Sequence, residues 1–107
     1  RPEMLYYIEA ADNYIEIHYM ANGKMQTLLV RNSLKRIETQ FYNTQLVRCH
    51  RSYIVNIGNV QLLKKTNREL MIDFSIENLP NIPVSKGYSN IITELFSQTV
   101  QNETLPS

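Results

Sequence analysis

The chain has 107 residues, 43% of them hydrophobic, with 11 Lys and Arg against 10 Asp and Glu. That length suits one small domain, and the apolar share excludes a disordered segment. The single cysteine, Cys49, excludes an internal disulfide framework, and no run approaches the roughly 20 apolar residues of a membrane span.

The near-neutral total hides an uneven distribution. Between Lys24 and Arg68 lie nine basic residues and one carboxylate, Glu38. A middle so cationic is expected to meet a polyanion with one face. The start, Arg1-Pro2-Glu3-Met4, lacks the apolar stretch of a secretory signal. A first residue other than Met suits a piece cut from a longer protein, and a lone cysteine fits a reducing, cytoplasmic setting.

In chain order, Met4 to Glu9 is apolar and aromatic and predicts a strand, with Asp12-Asn13 as a turn. Tyr14 to Met20 alternates with period two. Tyr14, Glu16 and His18 fall on one face, Ile15, Ile17 and Tyr19 on the other, the pattern of a half-buried strand. Asn22-Gly23 is a strong hairpin signal, because a type I′ turn needs positive φ at both central positions. Met25 to Val30 is the predicted returning strand.

Ser33 is placed to cap a short helix on which Leu34, Ile37 and Phe41 share a face, while Lys35 and Arg36 project away. Asn43-Thr44 ends it. Strands are predicted at Leu46 to Arg48 and Tyr53 to Ile57, with a turn at Gly58-Asn59. A second hairpin joins Val60–Lys65 to Glu69–Ser75 around Thr66-Asn67-Arg68. A short extended piece follows at Ile82 to Val84. After Ser85, Tyr88, Ile91, Ile92, Leu95 and Phe96 recur at helical spacing and form an amphipathic stripe. The residues from Ser97 on read as a polar, frayed tail, so the domain is expected over 1–97 and a tail over 98–107. Successive hairpins argue for antiparallel sheets and against parallel βαβ units.

Catalysis finds little support. Adjacent residues on a strand point to opposite faces, so Cys49 and His50 do not meet as a thiol–imidazole pair. Cys49 reads as a small core residue, and His18 as a solvated imidazole on the polar face of its hairpin. Two histidines and one cysteine without ligand spacing predict no metal site, and three unclustered glycines predict no phosphate loop. No catalytic residue, metal or cofactor is assigned.

The segment Arg48-Cys49-His50-Arg51-Ser52-Tyr53-Ile54-Val55-Asn56 carries more. It sets two guanidinium groups and an imidazole at the mouth of a β-rich run, which fixes them on a rigid edge. A bend at Arg51-Ser52 would present Arg51 at the sheet edge, where its planar fork matches guanine O6/N7 or a phosphate. Arg48 can serve a phosphate or a sheet-surface ion pair.

Four segments resemble a LytTR domain, the DNA-binding output domain of many bacterial response regulators. They are Tyr7-Ile8-Glu9-Ala10 with Asn13-Tyr14, then Arg31 to Glu38, then Arg48 to Asn56, then Ile82-Pro83-Val84-Ser85-Lys86-Gly87-Tyr88. The resemblance implies a mainly β fold, an elongated stack of small antiparallel sheets with one or two short helices. It also implies loops inserted into successive major grooves of double-stranded DNA at promoter repeats, with bending of the duplex. By motif position, groove contact would fall to Asn13, Arg51 and Lys86. Phosphate or supporting contact would fall to Tyr14, Arg48, His50, Ser52, Ser85 and Tyr88, with Lys35 added because its helix directs it outward. Lys86 stands where many relatives have arginine and offers a point charge in place of a fork. Asn13 can pair adenine or simply make its turn.

The implied setting is a cytoplasmic transcription regulator with an upstream receiver domain, two copies meeting on paired sites, and no membrane contact by this domain. Two other classes fit the composition. One is an RNA- or single-strand-binding module that stacks bases on some of the seven tyrosines. The other is a protein-interaction domain docking through a strand edge.

Overall fold

The computed structural model describes residues 4–104. Eight strands and two helices follow one another: β1 (Leu5–Ala11), β2 (Tyr14–Ala21), β3 (Lys24–Val30), α1 (Leu34–Gln40), β4 (Leu46–His50), β5 (Tyr53–Asn56), β6 (Leu62–Thr66), β7 (Glu69–Asp73), β8 (Ile82–Val84) and α2 (Lys86–Thr104), with one turn of 3-10 helix at Ile57–Asn59 between β5 and β6. They form a five-stranded sheet in the order β3-β2-β1-β5-β4 and a three-stranded sheet in the order β6-β7-β8. Every pairing is antiparallel. The molecule measures 40 × 33 × 28 Å along its principal axes.

Local chemistry accounts for the elements. The β2–β3 hairpin turns on Asn22 (φ 54°) and Gly23 (φ 75°), both in the left-handed region that a type I′ turn requires. The Ser33 hydroxyl caps α1 by accepting from the Arg36 N–H at 3.2 Å. Asn43, at φ 65°, helps turn the chain after the helix. Phe41, predicted on the buried face of α1, instead sits at its C-cap and stays 36% exposed.

The larger sheet is covered on both faces around β1 and β5, which period-two reading of β2 does not anticipate, while β3 stays largely exposed. One face buries Ile8, Ile15 and Ile54 beneath Leu34 and Ile37 of α1. The other sends Tyr7, Cys49 and Val55 into a core shared with Ile72, Phe74, Ile82 and Val84 of the β6–β8 region and Ile92 of α2. Burial of a side chain such as Ile92 stabilises the fold by about 1.5–3 kcal/mol. In the α2 stripe, Ile92 is fully buried and Ile91 remains 44% exposed, so the buried band is narrower than its spacing suggests.

Two expectations need correction. Residues 98–104 continue α2, which runs to Thr104, and the Thr99 hydroxyl donates to the Leu95 carbonyl at 3.0 Å. The rest of the expected tail, 105–107, lies outside the described residues, as do residues 1–3. His18 is not a solvated imidazole. Its ring stacks on Tyr7 with centroids 4.2 Å apart and planes 9° apart, because the β1–β2 register sets these two residues opposite each other.

Candidate nucleic-acid interface

Strand direction gathers the loops. β1 ends, β2 begins, β4 ends and β5 begins at the same end of the large sheet, so the Asp12-Asn13 and Arg51-Ser52 turns lie side by side. The Ala10 N–H donates to the Ser52 carbonyl at 3.0 Å and ties the two turns together. On the far side of β4, the Ser85 N–H donates to the Cys49 carbonyl at 3.0 Å and ties the start of α2 to the same end. Asn13, Arg51 and Lys86 therefore stand along one edge, although more than 70 positions separate the first from the last.

The side chains of these three residues are exposed and uncommitted. Among the described residues none of them makes a hydrogen bond or ion pair within the chain. In the Asp12-Asn13 turn the positive φ belongs to Asp12, at 60°. Asn13 does not occupy the left-handed position of its turn.

Arg48 is arranged oppositely. Its Nε donates to the His50 carbonyl at 2.8 Å, its Nη2 to the Arg51 carbonyl at 2.7 Å, and its Nη1 to Glu38 Oε1 at 2.9 Å. With its side chain 16% exposed, this guanidinium takes the ion-pair alternative and clamps the turn that carries Arg51. The register shifts between Arg48 and His50, a β-bulge that lets Cys49 enter the core while the chain swings toward the turn. His50 completes the turn: its Nδ1 accepts from the Ser52 N–H at 3.0 Å, which requires that nitrogen to be unprotonated.

Lys86 opens α2, whose first turn holds no carboxylate to offset the positive end of the helix. His50, Ser85 and Lys86 line a cleft of about 480 Å³ together with Lys65, Arg68 and Glu69 of the β6–β7 hairpin. Tyr14, at the first turn, is 38% exposed and carries the Arg31 guanidinium 5.9 Å from its ring centroid, a cation–π contact at the same end of the sheet. Lys35 is exposed on the first turn of α1, which leaves from the end of β3 that pairs beside Tyr14. Ser52 and Tyr88 are half-buried beside Arg51 and Lys86. Strand register brings Arg31, Lys65 and Arg68 to this end as well.

Among the described residues, one cluster could hold a metal ion. Ligand atoms of Glu9, Glu16 and His18 lie within 4.8 Å of one another. His18 Nε2 is 3.3 Å from Glu16 Oε1 but poorly aligned for a hydrogen bond, so the contact is electrostatic; Thr27 Oγ1 engages Nδ1 at 3.2 Å. Burial, then the carboxylates of Glu9 and Glu16 and the neighbouring Tyr53, pushes the Tyr7 hydroxyl from 10.0 to about 12. Burial likewise pushes the Cys49 thiol from 9.0 to about 12, against a smaller downward pull from Arg48.

An antiparallel β-domain with uncommitted polar and cationic tips along one edge is the class that fold and site together define. A family description, the LytTr DNA-binding domain, matches residues 1–97. The chain belongs to the LytTR family. Over 56 residues it is 32% identical to an uncharacterized response regulatory protein of Vibrio cholerae serotype O1. That match takes in 52% of this chain and 22% of the relative, so the chain spans only about a fifth of that protein's length. Among solved structures, the LytTr DNA-binding domain of a methyl-accepting/DNA response regulator from Bacillus cereus superposes with a TM-score of 0.65 at 26% identity, over 88% of this chain and 82% of that one.

Proposed function

We propose that this domain binds double-stranded DNA sequence-specifically, by inserting its loop tips into the major groove, as the output module of a cytoplasmic bacterial response regulator. The observation that carries the reading is the pair of backbone hydrogen bonds, Ala10 to Ser52 and Ser85 to Cys49, that hold three distant segments on one edge. Arg51 reads a guanine through its fork, Asn13 an adenine, and Lys86 supplies a directed charge. Tyr14, Lys35, His50, Ser52, Ser85 and Tyr88 surround them as phosphate or supporting contacts, and Arg48 acts by holding the Arg51 turn. Counterion release from the basic middle supplies salt-dependent affinity, and bending adds indirect readout at flexible steps. An upstream receiver domain and pairing of two copies on promoter repeats belong to the same reading.

The test is selection of random duplexes by the purified domain, followed by competition with single-stranded DNA and RNA at fixed salt. A recovered duplex motif that outcompetes both is the expected result. Equal retention of every duplex, or preference for the single strand, would overturn it. Of the two exposed tyrosines among the described residues, Tyr42, at 83%, lies between α1 and β4 at the end of the sheet away from the loop tips, and Tyr14, at the tips, already carries the Arg31 guanidinium against its ring.

A further inference from the structure

Two hairpins of this chain share one backbone. Each closes through two central residues in the left-handed region and begins with asparagine: Asn22 at 54° and Gly23 at 75°, Asn67 at 51° and Arg68 at 68°. Glycine suits the second position because it has no Cβ to meet the following carbonyl. The β2–β3 hairpin uses glycine there. The β6–β7 hairpin uses arginine, a residue that the turn itself disfavours.

The two turns differ in where they stand. The Asn22-Gly23 turn lies at the end of the large sheet away from the loop tips. The β7–β8 register sets Leu70 opposite Val84, which brings the start of β7 alongside Ser85 and Lys86. Lys65 and Arg68 line the same cleft as His50, Ser85 and Lys86, with Glu69 the sole carboxylate there. The first two turns of α2 line this cleft through Lys86, Ser89, Asn90 and Thr93. Alternation along β6 separates its two lysines. Lys64 is paired with Asp73 at 2.9 Å, while among the described residues neither Lys65 nor Arg68 has an ion-pair partner.

We propose that the β6–β7 turn is a further DNA-contacting element, in which Lys65 and Arg68 grip the phosphodiester backbone beside the groove that Lys86 enters. The inference rests on the duplex-binding reading of the loop edge. A cation held on a strained turn beside a cleft attracts phosphate whatever the base, so the element adds affinity and salt dependence and leaves base discrimination to the loop tips.

Arg68→Gly separates fold from function. Glycine relieves the turn, so thermal unfolding should shift upward by several degrees. Duplex affinity, followed by fluorescence anisotropy on a selected site across a salt series, should fall about 3- to 10-fold, with the log–log salt slope shallower by about one. Lys65→Ala should show the same loss without the thermal gain, and Arg68→Lys should keep most of the slope. The ratio of cognate to scrambled binding should stay unchanged in all three. A steeply salt-dependent wild type whose affinity and slope survive Arg68→Gly would end this inference alone. A wild type that binds no duplex would end it together with the reading beneath it. A lower melting temperature in Arg68→Gly would overturn the comparison of the two hairpins.

Discussion

Arg48 donates through Nη2 to the backbone carbonyl of Arg51 over 2.7 Å, so one arginine sets the position of the other. The same guanidinium reaches the His50 carbonyl and Glu38, joining the turn to α1. Arg48→Ala should therefore destabilise the domain by about 1–3 kcal/mol, the range for losing charge-assisted hydrogen bonds in a partly buried setting. It should also weaken duplex binding. Arg48→Lys should not restore either, since an ammonium cannot reproduce the fork. Urea unfolding and anisotropy on the same variants check both; a full rescue by lysine would contradict the clamp.

Arg51 itself makes no such contacts. Arg51→Ala should leave stability within about 0.5 kcal/mol of wild type, as for an ordinary surface substitution. Its effect should appear on the cognate duplex, a loss of about 1–3 kcal/mol with discrimination flattened at one base pair. Lys35→Ala should weaken all duplexes alike and make the salt dependence shallower. Equal behaviour of the two variants across a panel of single-base-pair changes would remove the division of labour.

Cys49 is buried, and its thiol lies 3.7 Å from both the Tyr53 and the Pro83 carbonyl, to either of which its single proton can donate weakly. Native protein at about pH 8 should resist thiol alkylation and react once denatured, because the thiolate is the nucleophile. The unfolded thiol ionises near 9.0 while the folded one keeps its proton to about 12. Between those values the unfolded state binds fewer protons, so stability falls as pH rises, and the contribution is fully present below 9.0. Tyr7, raised from 10.0 to about 12, acts in the same direction. Urea midpoints across the alkaline range, with Cys49→Ala as the comparison, should show a shallower decline in the variant.

Asn56 is the buried polar side chain of the described core, 3% exposed. Its Nδ2 donates to the Leu5 carbonyl at 3.0 Å and its Oδ1 accepts from the Gly58 N–H at 3.0 Å. The Leu5 carbonyl also accepts from Asn59 Nδ2 at 2.8 Å, so it keeps a partner if Asn56 is removed; the Gly58 N–H loses this one. Asn56→Ala should destabilise by about 1–3 kcal/mol, the penalty for orphaning a buried donor. A denaturation midpoint equal to wild type would mean that water replaces the amide.

Much of this protein was legible in its residues. Alternation along 14–20, the Asn22-Gly23 turn, the Ser33 cap and the spacing from Tyr88 to Phe96 are short-range signals, and local sterics and hydrogen bonding act on them before any packing occurs. The bend at Arg51-Ser52 was readable for the same reason. Period two could not say that both faces of the large sheet are covered around β1 and β5, since the second cover comes from residues after position 60. It therefore left His18 in solvent, when a cross-strand tyrosine lies against its ring. Nor could composition tell Arg48 from Arg51. Both are arginines three positions apart, and only the arrival of α1 and the recoil of the chain at the bulge commit the first inward and leave the second exposed. The same holds for Lys64 and Lys65, and for the meeting of the β6–β7 turn with Lys86. Side-chain chemistry is written locally, but which charges are neutralised inside a fold and which remain at its edge depends on long-range register, and register exists only once the sheets have paired.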